Sequence, residues 1–277
     1  MSTTASSQHV LSRRPWRPVP FVAGSMALHV AGLAALGVNL EWWPYVAASL
    51  VGDHAFMTAC GLLPRTSVIG RNMSRLPRES AARGEVAITF DDGPDPAVTP
   101  QVLDILARYG ARATFFCVGE QVRAHADLCM EIVRRGHTVE NHSGHHPTTF
   151  SLLGWQGMQR EVAEGQAAIR AATGVTPRFF RAPLGFRSPL LDPVLHRADL
   201  TLASWTRRGF DTNTQPARVV KRLTRGLAAG DILLLHDRNS AVTPSGTPGI
   251  LESLPQVLEA FARAQLHPVT LREATGA

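Results

Sequence analysis

Two adjacent carboxylates, Asp91 and Asp92, end a short apolar run and begin a turn. Because neighbouring residues at a strand end point to opposite sides, we expect one carboxylate to bind a metal and the other to stay free as a general base. A solvated Asp-Asp-Gly-Pro turn is the plain structural alternative. The pair gains weight because three further candidate sites follow it in order, at residues 142–146, 181–183 and 233–236.

Two histidines, His142 and His146, follow a candidate strand and lie four residues apart. If this loop takes a helical turn, both imidazoles share a face and converge with Asp92 on one ion. A set of two histidines and one carboxylate with open positions suits catalytic zinc and equally suits non-haem Fe(II). His145 is a possible replacement for His146. We prefer His146 and expect His145 at the rim.

Two further strand ends carry polar side chains. His236 ends an apolar run in which period-two alternation puts it above Leu234 on one face. An imidazole there can protonate a leaving amine, and an apolar floor can accept a small acyl methyl. Arg181 can pair with Asp91 and keep that carboxylate ionised. Taken alone, His236 would be an incidental histidine at the end of a core strand. Arg181 would form a surface ion pair.

The elements that position these residues alternate between short apolar runs and longer amphipathic runs, which predicts βα units. The polar sites fall at strand C-terminal ends, where parallel α/β folds place their active sites. The predicted strands are 86–90, 113–118, 137–140, 178–181, 200–205, 231–236 and 268–271. The predicted helices are 100–109 with Thr99 as N-cap, 120–135, 155–172, 189–197, 216–229 and 250–264.

The composition of the 277 residues, 44% hydrophobic and 18% charged, is typical of a globular chain. Residues 1–80 carry seven arginines and three acidic residues, an excess of four that flanks apolar segments. Anionic lipid head groups explain this excess better than nucleic acid does, because basic and aromatic residues do not interleave. The three cysteines lack ligand spacing and are predicted to be buried free thiols: Cys60, Cys117 and Cys129.

The N-terminal region predicts a membrane anchor. Residues 19–40 form a 22-residue stretch without a charge, long enough to cross a hydrocarbon core of about 30 Å, and lack a clear cleavage site. Residues 44–63 would return across the membrane, with the arginines beyond them in the cytoplasm. Asp53 opposes this hairpin by about 2.5 to 3.5 kcal/mol, unless Asp53 and His54 pack against His29. Otherwise the second stretch lies in the interface and the catalytic domain lies outside.

The stretch 85–271 resembles the polysaccharide deacetylases with a NodB homology domain, carbohydrate esterase family 4. The five motifs of that family have counterparts here in order, and the first, Thr-Phe-Asp-Asp-Gly-Pro at residues 89–94, is the most specific. The resemblance implies an α/β fold, a distorted (β/α) barrel, consistent with the seven predicted strands.

The resemblance also implies roles for individual residues. Asp91 would be the general base and His236 the general acid. The implied metal ligands are Asp92, His142 and His146, the implied orienting residues are Arg181 and Asp211, and the implied substrate-binding residues are Leu234, Pro183 and Trp205. The sequence departs from the family pattern at Arg208, where a second Asp is usual, at Thr212, where Trp is usual, and at Leu184, where an aromatic is usual.

The expected activity is hydrolysis of an N-acyl group, acetyl above all, from an amino-sugar glycan or a lipid-linked amino sugar, with a divalent metal, zinc above all. The alternatives are a lipid-linked amino-sugar deformylase, an inactive membrane-anchored glycan-binding protein and an Fe(II) oxygenase. We expect a basic cytoplasmic tail at 1–18, a membrane anchor of one or two helices at 19–64, a linker at 65–84 and the NodB-like domain at 85–277. The expected location is the bacterial inner membrane, with the domain cytoplasmic, or periplasmic if one helix spans.

Overall fold

The computed structural model describes residues 15–277. The basic tail predicted at residues 1–18 lies outside the described residues as far as residue 14. The described chain begins with a helical hairpin and continues into a barrel of parallel strands surrounded by helices.

The hairpin consists of α1 (Pro20–Val38), a short 3₁₀ turn (Leu40–Trp42) and α2 (Trp43–Leu62). Among residues 15–277, α1 alone is long and apolar enough to cross a membrane. Polar side chains meet between the helices: the Ser25 hydroxyl donates to Asp53 at 2.6 Å, and the Nε2 atoms of His29 and His54 lie 3.1 Å apart. His54 therefore lies against His29, and the partner of Asp53 on the first helix is Ser25.

Eight strands form one curled sheet in which every pair of strands is parallel. The order across the sheet is β5-β4-β3-β2-β1-β7-β6, with β8 beside β1. The strands are β1 (Glu85–Asp91), β2 (Ala113–Cys117), β3 (Thr138–Asn141), β4 (Phe179–Phe180), β5 (Thr201–Leu202), β6 (Arg207–Arg208), β7 (Ile232–His236) and β8 (His267–Pro268).

Nine α-helices follow the hairpin in the described chain. They are α3 (Arg78–Ala82), α4 (Thr99–Arg108), α5 (Gly119–Ala124), α6 (Ala126–Arg134), α7 (Trp155–Thr173), α8 (Leu191–Ala198), α9 (Pro216–Thr224), α10 (Gly249–Arg263) and α11 (Leu271–Thr275). Period-two alternation divides the core: Leu233 and Leu235 join the apolar layer under the helices, whereas Ile232 and Leu234 join the cluster inside the barrel.

The stretch of chain that contains β5 and β6 connects the two edges of the curled sheet and so closes the barrel. β5 pairs with β4 at one edge of the sheet, and β6 pairs with β7 at the other edge. Met73 fills the gap beside this stretch, because its backbone N–H donates to Leu202 and its carbonyl accepts from Ser204, both at 2.9 Å. Leu76 continues the segment and donates to the carbonyl of Gly230 at 2.9 Å. Part of the predicted linker at 65–84 therefore lies in the barrel wall.

The seven predicted strands and the distorted (β/α) barrel are confirmed, with differences in detail. β6 is an additional strand that the sequence analysis did not predict. The single helix predicted at 120–135 is two helices, α5 and α6, which meet at His125, whose φ of −135° and ψ of 48° are not helical. The helix predicted to run to residue 229 ends at Thr224.

Candidate active site

The two adjacent carboxylates face the same side of the site. Asp91 ends β1, and its Oδ2 lies 3.8 Å from Nε2 of His142. Asp92 has a left-handed backbone with a φ of 73°, and its Oδ1 lies 3.4 Å from the same nitrogen. The expectation that these carboxylates point to opposite sides is wrong, because the alternation of a regular strand ends where the backbone becomes left-handed.

The histidine pair follows β3 and converges on Asp92. Nε2 of His146 lies 3.3 Å from Asp92 Oδ1, and the His142 and His146 ring centroids are 4.8 Å apart. The loop does not form the predicted helical turn. Ser143 and His146 instead adopt left-handed backbones, with φ of 71° and 54°, and the Ser143 hydroxyl accepts the His146 N–H at 2.9 Å. These contacts bring the histidines together by a tight loop.

The carboxylate of Asp92 and one nitrogen each of His142 and His146 lie within 4.8 Å of one another, as a metal site requires. The Arg181 carbonyl accepts from Nδ1 of His142 at 2.9 Å, which leaves the Nε2 lone pair free to bind an ion. Burial and the charge of His142 lower the pKa of His146 to about 4 and favour a neutral imidazole. Burial opposes ionisation of Asp92, but the hydrogen bond and charge of His142 outweigh it and lower its pKa.

The donor set therefore fits a divalent metal, and it suits zinc and Fe(II) alike. His145 lies outside this set. Its side chain is 49% exposed, and its Nδ1 lies 3.1 Å from Glu161.

Arg181 is the largest fully buried side chain in the described part of the molecule. Its Nη1 donates to Asp91 Oδ1 at 2.6 Å and to the Thr89 hydroxyl at 2.7 Å. Nε and Nη2 donate to the carbonyls of Ala203 and Ser204, both at 3.1 Å. The predicted pairing of Arg181 with Asp91 is confirmed, and it leaves Asp91 Oδ2 as the oxygen that faces the histidines.

His236 ends β7 beside Asp91 in the parallel register. Asp211 holds it twice: Nδ1 of His236 lies 2.9 Å from one carboxylate oxygen, and its backbone N–H donates to the other at 2.7 Å. Burial favours the neutral imidazole, but the hydrogen bond and charge of Asp211 outweigh burial and raise the pKa of His236 to about 9. Nε2 is then the nitrogen available to a substrate. Leu234, two residues earlier, lies inside the barrel as expected.

The residues expected to contact substrate lie at two chain segments that meet. Pro183 begins a 3₁₀ turn (Pro183–Gly185), and Gly185 lies so close to Trp205 that an added Cβ would be 2.4 Å from its ring. Leu184 is 40% exposed on this turn. Arg208, one of the departures from the family pattern, places its guanidinium 5.5 Å from the Trp205 ring centroid.

Two supporting residues, Asn239 and Asp237, were not predicted from the sequence. The Asn239 amide donates to Asp92 Oδ2 at 3.2 Å. Asp237 is fully buried, accepts from the Thr99 hydroxyl at 2.5 Å, and burial raises its pKa to about 7. Thr99, predicted as the N-cap of this helix, is the first residue of α4, and Val98 occupies the N-cap position. The Thr99 side chain is instead the partner of Asp237. For Asp237, the sequence offered one signal: a carboxylate that directly follows His236 at the end of an apolar run.

The chain is similar to several known proteins. The profile of the family described as polysaccharide deacetylase matches residues 78–203. The chain is 36% identical over 172 residues to a chitooligosaccharide deacetylase of Sinorhizobium fredii, covering 58% of this chain and 76% of that protein. It is 34% identical over 155 residues to a peptidoglycan-N-acetylglucosamine deacetylase of Bacillus cereus, covering 55% and 72%. A family 4 carbohydrate esterase from Streptomyces lividans, solved with acetate, gives a TM-score of 0.60 at 32% identity, covering 67% and 91%.

The chain belongs to the polysaccharide deacetylase family. It is accordingly a hydrolase of carbon–nitrogen bonds in carbohydrates, a de-N-acetylase, and enzymes of this class depend on a divalent metal.

Proposed function

We propose that this protein removes the acetyl group from an N-acetylated amino sugar, with Asp91 as general base and His236 as general acid. The observation that carries the proposal is the convergence of three functions at one end of the barrel. Asp91, the group of Asp92, His142 and His146, and the His236–Asp211 pair all meet at the C-terminal ends of neighbouring strands. The names of the relatives from Sinorhizobium fredii and Bacillus cereus support N-acetylglucosamine as the sugar.

Asp91 provides the base because its two oxygens have different environments. Oδ1 accepts from Arg181 at 2.6 Å, so this oxygen is occupied and the carboxylate is oriented. Oδ2 faces His142 and is the atom that takes a proton from an attacking water. Arg181 acts through Asp91 and is a positioning residue.

Asp92, His142 and His146 are the residues that would hold a divalent cation, and we propose zinc. When bound, such a cation supplies Lewis acidity, which polarises an amide carbonyl and acidifies water. Asn239 donates to the Asp92 oxygen that does not face the histidines, and so it orients this carboxylate.

His236 provides the proton for the departing nitrogen. Its Nδ1 is held by Asp211, so Nε2 carries the proton that faces the substrate. With a pKa of about 9, the imidazole is protonated at neutral pH, as a general acid must be. Leu234 lies two residues below on the same face, in one cluster with Trp205, and provides the floor for the acetyl methyl. Trp205 and Pro183 are the proposed further contacts of the substrate.

The proposed domain organisation places the deacetylase domain at residues 85–277 and a membrane anchor in the α1–α2 hairpin. Support for the anchor comes from the length and apolar composition of α1 and from the arginines after α2. In this arrangement both ends of the hairpin lie on the cytoplasmic side of a bacterial inner membrane. Asp53 is tolerated there because Ser25 donates to it across the helix pair.

The test measures acetate released by the full chain loaded with zinc, from chitooligosaccharides and from amino-sugar lipids. We expect Asp91→Asn to lower the rate by about 10² to 10⁴, the usual contribution of a general base. The control is Asp104→Asn, because that carboxylate is 61% exposed and pairs with Arg135 far from the site. Zinc content should be equal in both variants. A wild-type rate in Asp91→Asn would refute the assigned mechanism.

A further inference from the structure

The end of the hairpin is fixed to a loop of the active site. The loop leaves the site end of β4 and contains the Pro183–Gly185 turn and Arg187. The Arg187 N–H donates to the Gly61 carbonyl at 3.1 Å, and its guanidinium donates to the carbonyls of Leu63 and Thr66 at 2.9 and 3.0 Å. A Cβ at Gly61 would lie 2.3 Å from the Arg187 carbonyl oxygen, so the two backbones are in contact.

The start of the hairpin is fixed beside the same loop. The Trp16 indole donates to Asp192 in the first turn of α8 at 2.8 Å. The same carboxylate accepts from the Arg71 backbone N–H at 3.0 Å. Both ends of the hairpin are therefore attached at the site end of the barrel. Attachment at both ends restricts the rotation of the hairpin relative to the barrel, so the direction of the hairpin influences the direction that the site faces.

Exposed apolar side chains surround this junction and form what we call the apolar rim: Leu62, Leu63, Leu184, Phe186 and Leu190. Their exposed fractions run from 36% to 58%, and each lies within three residues of Gly61 or Arg187 in the chain. The apolar rim continues the apolar surface of the hairpin onto the turn that carries Pro183. Exposed arginines accompany it at positions 17, 65 and 71. Apolar side chains mixed with arginines are the pattern of a surface that rests on anionic lipid.

We infer that the mouth of the active site rests on the bilayer surface, and that the site takes its amino sugar from the head group of a membrane lipid. This inference rests on the proposed deacetylation and on the proposed anchor. The physical reason is depth: with the apolar rim in the head-group layer, a sugar carried on a lipid lies at the level of the mouth. A free glycan chain must instead enter between the barrel and the membrane.

The first experiment measures the position of the apolar rim and does not depend on activity. Phe186→Cys in the full chain is labelled with a fluorophore and placed in nanodiscs whose lipids carry a nitroxide on the head group. The native cysteines do not compete for the label because all three are buried: Cys60, Cys117 and Cys129. Tyr109→Cys is the matched control, because Tyr109 is 40% exposed and lies at the opposite end of the barrel, after α4.

We expect quenching at position 186 to exceed quenching at position 109 at least threefold. Equal quenching at the two positions would overturn the inference, whatever the activity of the enzyme.

The second experiment compares substrates in the same nanodiscs. We expect kcat/KM for an N-acetylglucosaminyl lipid to exceed that for the free oligosaccharide at least tenfold, and Phe186→Ser to reduce this ratio while Tyr109→Ser does not. A ratio near one would overturn the choice of substrate but leave deacetylation standing. Quenching at position 186 with no acetate released from either substrate would refute the proposed function and the substrate class with it.

Discussion

Replacing Asp211 by asparagine is expected to move the basic limb of the pH–rate profile toward acid. Asp211 holds both Nδ1 and the backbone N–H of His236, and the pKa of that imidazole is raised from 6.5 to about 9. This difference corresponds to about 3 kcal/mol of preference for the protonated form. A bound divalent cation favours the neutral imidazole, so the wild-type limb should fall at or below about pH 9.

The size of the effect follows from the loss of the charge while burial remains. In Asp211→Asn the pKa of His236 should fall toward its unfolded value of 6.5, because burial is then opposed only by the charges of Asp91 and Asp92. At pH 8 a pKa of 6.5 would lower the protonated fraction about thirtyfold, so kcat/KM should drop by up to about this factor. The asparagine side chain has one oxygen, so one of the two His236 donors also loses its acceptor, at about 1 to 3 kcal/mol of stability.

The assay is acetate release between pH 5 and 10, with thermal unfolding measured on the same samples. Because the folded pKa of His236 lies above the unfolded one, the ion pair stabilises the native state fully below pH 6.5 and loses this effect as the pH rises through about 9. The stability difference between wild type and Asp211→Asn should shrink in the same window. Asp104→Asn is the control. An unchanged basic limb in Asp211→Asn would refute the assignment of His236 as an acid tuned by Asp211.

Two further predictions concern the metal ligands and the barrel wall. His146→Gln should lower zinc affinity by about two orders of magnitude, measured by competition with a chromophoric chelator, whereas His145→Gln should not change it; equal losses would exclude the assigned ligand set. A chain that begins at residue 80 lacks Ile69, Met73 and Leu76, of which Ile69 and Leu76 are buried. Each buried aliphatic side chain contributes about 1.5 to 3 kcal/mol to the free energy of unfolding. The chain that begins at residue 80 should therefore unfold at a lower temperature than one that begins at residue 64. Equal midpoints of thermal unfolding would show that residues 64–79 are not part of the barrel wall.

The strands and the location of the site were predictable because both follow from periodicity and topology. Apolar runs separated by amphipathic runs specify parallel βα units, and such units place their C-terminal ends at one face. Asp91 and His236 end two strands and Arg181 directly follows a third, so their proximity follows from the fold class. Period-two alternation also placed Leu234 below His236.

The loop geometry was not predictable, because it depends on contacts made after folding. Asp92, Ser143 and His146 have left-handed backbones. Glycine is the residue that usually marks such a conformation in a sequence, and none of these positions is a glycine. β6 was missed because two arginines do not form an apolar run. Arg207 lies outside the barrel, where it pairs with Asp231, and the guanidinium of Arg208 lies over the ring of Trp205. Met73 pairs through a single bridge, which leaves no periodic pattern.

The buried pair of Arg181 and Asp91 has a consequence for how sequences of this kind lose activity. Arg181 also bonds the stretch that closes the barrel, so a lineage that replaced Asp91 alone would keep a guanidinium in a dry interior without its counter-ion. Breaking a buried ion pair in this way costs about 3 to 5 kcal/mol. Decay toward an inactive protein should therefore begin at His236 or at the metal ligands. Among related sequences, an arginine at the position of Arg181 should therefore indicate an intact barrel. A histidine at the position of His236 should indicate an active enzyme.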